Sequence, residues 1–103
     1  MAEFTGKRYI TNGIENEIPI ELQFVMWDLI DELRNSKQKL DYLQIFTLRP
    51  VYENGVEMQE IVHKQEQPWR KKKITVESDS PISAKIFVID DTTHITMLLC
   101  DEY

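Results

Sequence analysis

The chain has 103 residues, 42% apolar and 29% charged, with a formal net charge of −6. That is room for one domain over residues 1–103 with one core, in an ordinary globular balance and not a disordered one. The acidic sign weighs against nucleic acid and anionic membranes, which demand concentrated positive charge, and a single cysteine, Cys100, excludes an intrachain disulfide.

The opening MAEFTGKRYI lacks the apolar run of a signal peptide, and no stretch approaches the ~20 apolar residues of a membrane span. A cytoplasmic protein is expected. "KRYIT" (residues 7–11) reads as a first strand, ended by Asn12-Gly13.

"IPIELQFVMWDLIDELR" then reads as the main helix. Pro19 suits its first turn, Glu17 and Glu21 sit at its positive end, and Arg34 sits at the other. Leu22, Val25, Met26, Leu29 and Leu33 recur at helical spacing, and Ile30 widens the stripe. "RNSK" (residues 34–37) closes the helix. Phe24 and Trp27 fall outside the stripe, beside Asp28 and Asp31. Aromatics off the core side suggest an interface for a protein partner or a second copy of the chain. Cover by the first strand or by the 36–41 loop is the competing reading.

The remaining chain reads as strands. "YLQIFTLRPVY" and "VEMQEIVHKQ" flank Asn54-Gly55, a strong hairpin signal because both turn residues take positive φ. A two-residue turn sets Leu48 opposite Ile61, Phe46 opposite His63, Thr47 opposite Val62 and Val51 opposite Met58. His63 is expected as a half-exposed strand residue without a metal partner. "WRKKKITVE" follows Pro68 as an edge strand, where lysines discourage further strand addition. Trp69, Arg70, Lys71, Lys72 and Lys73 together are the alternative functional candidate, an aromatic beside cations that could hold an anionic ligand or a single-stranded nucleic acid. Alternation along a strand divides these cations between two faces.

"KIFVIDDTTHITMLL" (residues 85–99) poses the sharpest choice between chemistry and architecture. As a hairpin turning at Asp91-Thr92, it sets Val88 opposite Ile95, Ile86 opposite Met97 and Ala84 opposite Leu99, an unbroken apolar face. The acids then sit at an exposed tip as turn formers. A catalytic reading would have Asp90 or Asp91 orient His94 as a base, but no nucleophile or metal motif accompanies them. Cys100, beside Asp101 and Glu102, lacks the positive surroundings that activate a thiol. No catalytic residue, metal site or cofactor is assigned.

"RYITNGIENEIPIELQFVMWDLID", "LDYLQIFTL" and the closing "KIFVIDDTTHITMLLCDEY" resemble a family of small Gram-positive bacterial proteins, domain-of-unknown-function family 960. The resemblance spans nearly the whole chain. It implies a single-domain cytoplasmic bacterial protein and carries no activity or site residue with it.

The expected fold is α+β: one amphipathic helix on a mostly antiparallel sheet of five or six strands, in the order β-α-β-β-β-β-β. Its core should hold Leu22, Val25, Met26, Leu29, Leu33, Ile86, Val88, Ile95 and Met97. The expected function is a non-enzymatic binding or protein-interaction module.

Overall fold

Residues 2–103 are described in a computed structural model of the chain. Strand β1 (Lys7–Ile10) is followed by a short helix α1 (Asn12–Glu17), the main helix α2 (Ile20–Asn35) and five more strands. These are β2 (Leu43–Glu53), β3 (Val56–Gln65), β4 (Arg70–Glu77), β5 (Ala84–Asp90) and β6 (His94–Leu99). They form one six-stranded sheet in the order β1-β6-β5-β2-β3-β4.

The architecture is α+β, with two departures from expectation. The sheet is mixed, because β1 pairs with β6 in parallel while the other neighbours run antiparallel. Tracing directions across the sheet, β1 and β2 run the same way, as a helical crossover between them requires, and the β5–β6 hairpin inserts between them. The second departure is α1. Thr11 caps it, its hydroxyl accepting from Ile14 N at 3.3 Å, so Asn12-Gly13 opens a helix instead of merely ending a strand. The four-residue spacing of Ile14 and Ile18, both in the core, was the available sign.

Pro19 precedes α2 as its N-cap, where the missing N–H costs no hydrogen bond. At the other end Ser36 N donates to the Glu32 and Leu33 carbonyls. Leu22, Met26, Leu29, Ile30 and Leu33 are buried against Phe46, Leu48, Ile61, Ile86, Val88, Ile95 and Met97; Val25 is half-buried at the margin. Arg8 of β1 pairs with Asp31, and Lys72 of β4 pairs with Glu32, so both edge strands grip the helix. Each buried aliphatic contributes roughly 1.5–3 kcal/mol, against about 1 kcal/mol or less for a surface ion pair. The apolar stripe therefore holds the helix and the ion pairs orient it.

The first hairpin has the expected register throughout, from Ile45↔Lys64 to Glu53↔Val56. The second does not. Val88 faces Met97, Ile86 faces Leu99 and Asp90 faces Ile95, so the connection is longer than two residues. The slip is two residues, which preserves the faces, whereas a slip of one would have turned them inside out. Its cause lies in the tip. Asp91 accepts from Thr93 N, Thr93 Oγ1 and His94 N, a loop built around one carboxylate.

Candidate functional site

Alternation divides every strand between a face under α2 and a face away from it. On the second face, register places Leu98, Phe87, Ile45, Lys64 and Lys71 in one row across β6, β5, β2, β3 and β4. A neighbouring row runs Lys85, Thr47, Val62 and Lys73. On the other side Tyr9, Thr96, Ile89 and Leu43 complete the surface. Its centre is apolar and its β4 margin is lysine.

Neither α1 nor α2 lies on this face; both pack on the other side. Ile45 and Leu98 are buried, yet neither belongs to the core cluster beneath α2. Leu43, Val62, Phe87 and Ile89 are half-buried, as side chains standing on a flat sheet are. Tyr103 reaches Phe87 edge-on at 5.5 Å between ring centroids, and the Lys85 ammonium lies 6.0 Å from the same ring.

The charge of the face opposes that of the chain. Arg49 holds Glu60 through Nε–Oε1 at 2.6 Å, which keeps the Glu60 carboxyl below its ordinary range. Among the described residues, Lys64, Lys71, Lys73 and Lys85 form no ion pair. Adjacent strands lie ~5 Å apart and alternate residues of a strand ~7 Å apart, so Lys64, Lys71 and Lys73 form a tight cationic group.

The sequence candidates are redistributed by this geometry. Trp69 is exposed in the loop before β4. Lys71 and Lys73 stand on the open face. Arg70 and Lys72 turn to the α2 side, where Lys72 takes Glu32 and lowers the Glu32 pKa by that hydrogen bond. One Arg70 nitrogen, Nη1, is enclosed without a partner. On α2, Phe24 is 61% exposed and Asp28 is exposed. Trp27 and Asp31 are half-covered by Arg8, whose guanidinium lies 4.8 Å from the indole centre. The helix surface is thereby reduced to Phe24 and Asp28, with Ile20 beside them at 53% exposure.

Asp90 and His94 do not form a pair. Asp90 is buried on the α2 side, not held at the exposed tip, and accepts from Phe4 N at 2.9 Å and Thr92 N at 2.9 Å. His94 Nε2 lies 3.2 Å from Asp91. The N–H groups of His94 and Thr93 and the Thr93 hydroxyl draw the Asp91 pKa down, which holds it as a carboxylate suited to a turn. A cleft of about 480 Å³ beside Asp90 also contains Asp41 and Tyr42, but the Asp41 carboxylate is taken by Leu43 N and Gln67 N. Polar groups already bonded to backbone offer a substrate little.

His63 is buried, not half-exposed. It stacks on Phe46 with centroids 4.4 Å apart, and its Nε2 lies 2.7 Å from Gln44 Oε1. Gln44 passes the chain of bonds to Gln65, which anchors Lys39 O, Pro68 O and Asp41 N. The network ties two loops to the sheet, and its exit from solvent suits a structural role.

A crystal structure of a protein of unknown function from Enterococcus faecalis is similar, with 26% identity and a TM-score of 0.77, over 100% of this chain and 97% of that one. No curated protein matches. The family model described as a staphylococcal protein of unknown function, DUF960, matches residues 7–102, so the chain belongs to that family.

Proposed function

We propose that this is a cytoplasmic protein-interaction module that works through the open face of its sheet and performs no chemistry of its own. The observation that carries the reading is that face: apolar in the middle, lysine at the margin, and covered by neither α1 nor α2, whose apolar residues pack on the other side. A sheet is stable in water with one face solvated, but a solvated face needs no contiguous Leu43, Ile45, Val62, Phe87, Ile89 and Leu98. Apolar surface rimmed by charge is the usual form of a partner site.

The nucleic-acid alternative on Trp69–Lys73 is weakened by the loss of Arg70 and Lys72 to the α2 side. Self-association through the outer side of α2 is weakened by the cover that Arg8 gives Trp27.

A photoreactive side chain placed at Thr47 or Thr96 tests the proposal in the host cell. Both positions should yield one discrete adduct, which the added substitution Val62→Glu should abolish, and Glu15 on α1 should yield none. Adducts at Phe24 in place of Thr47 and Thr96, or none at any of them, would overturn the reading.

A further inference from the structure

The covered face shows how this sheet holds a helix. Aliphatics from the central strands meet the α2 stripe, and a cation from each edge strand reaches a carboxylate on the helix flank, Arg8 to Asp31 and Lys72 to Glu32. One residue along each edge strand, the same device points the other way. Lys7 adjoins Arg8, and Lys71 and Lys73 flank Lys72, all three on the open face. Between these margins stand Ile45, Val62 and Leu98 in place of Phe46, Ile61 and Met97. The open face thus repeats the aliphatic centre and the cationic margins, and lacks only a helix bearing carboxylates.

We propose that the occupant of the open face is an amphipathic α-helix of a partner protein, with an aliphatic stripe flanked by glutamate or aspartate. This rests on the interaction reading above and names the partner's chemistry. An amphipathic helix is the usual cover for a sheet face that is apolar at its centre. Carboxylates are called for because the unpaired groups on the margin are lysines, within an otherwise acidic chain. A second copy's α2 does not meet the requirement, since its aliphatic stripe is already buried on its own sheet. Single-stranded nucleic acid would supply the charge, but its bases stack on free aromatic planes, and the two aromatics of this face are already engaged, Phe87 by Tyr103 and Tyr9 by His94, which leaves Ile45, Val62, Ile89 and Leu98 between them.

The test uses the whole protein and three probes: an 18-residue amphipathic peptide with a leucine stripe flanked by glutamates, the same peptide with lysines in their place, and a dT15 oligonucleotide. Binding is followed by amide and methyl NMR shifts. The glutamate peptide should bind, shifting Leu43, Val62 and Leu98 while leaving Phe24 unmoved. Raising salt from 50 to 300 mM should weaken it several-fold. The variant K71E/K73E, exposed and checked for folding by circular dichroism, should lose about tenfold in affinity for the glutamate peptide and gain for the lysine one. Equal or tighter binding of the lysine peptide, shifts confined to α2, or displacement of the glutamate peptide by dT15 would overturn the proposal. So would concentration-dependent shifts on this face without any probe, because a second copy would then be the occupant. Failure of the glutamate peptide alongside adducts at Thr47 and Thr96 would reject the acidic helix and leave the interaction surface standing; failure of both would reject both.

Discussion

His63 is the residue whose environment most changes its chemistry. Burial, with Arg70 and Lys72 nearby, lowers its pKa from the ordinary 6.5 to about 4. It is neutral in both folded and unfolded chains above pH 6.5, where its contribution is complete. As pH falls through 6.5 the unfolded chain takes a proton that the folded chain refuses, so stability declines until about pH 4, where both are protonated. At 1.36 kcal/mol per unit the decline is roughly 3 kcal/mol. Urea titrations between pH 7 and 4 should show this slope, and His63→Gln, which preserves a donor for Gln44, should flatten it; an unchanged slope would mean that other groups carry it. From the sequence, the facing of Phe46 and His63 followed from the turn, but the burial did not. Enclosure of His63 depends on Gln44 and Gln65, polar residues whose partners are loop carbonyls far along the chain. Asp90 was hidden for a similar reason: what buries it is Phe4, 86 residues away, through a backbone N–H.

At the scale of elements, what was legible is what is local. The stripe on α2 is periodic, and the first hairpin's register follows from two turn residues. Asn54 and Gly55 take φ of 53° and 79°, as that turn demands. A Cβ at Gly55 would meet nothing within 4 Å, so Gly55→Ala should cost only its backbone strain, about 1–2 kcal/mol in urea unfolding. A neutral substitution would indicate a different turn in solution. The second hairpin carries no Asn-Gly, and its loop length depends on how many N–H groups one aspartate collects. Its faces were readable from the alternation of Ile86, Val88, Ile95 and Met97, while its pairing was not.

Over the whole molecule, the strand order was out of reach because β1 and β6 lie at opposite ends of the chain, and nothing in their own residues names the other as partner. The candidate surface was out of reach for the same reason. Lys64, Lys71, Lys73, Ile45, Val62 and Leu98 become one patch only after five strands are placed side by side. The basic stretch at Trp69–Lys73 was visible, but half of it serves α2. The resulting molecule carries acidic residues on α1 and α2 and lysines on the opposite face of the sheet, an asymmetry that directs an acidic partner to one side. Solvent paramagnetic relaxation of assigned methyls in the free protein tests that asymmetry of cover most directly. Leu43, Val62 and Ile89 should relax strongly and Ile61, Ile86 and Val88 weakly; equal protection of both sets would contradict the account.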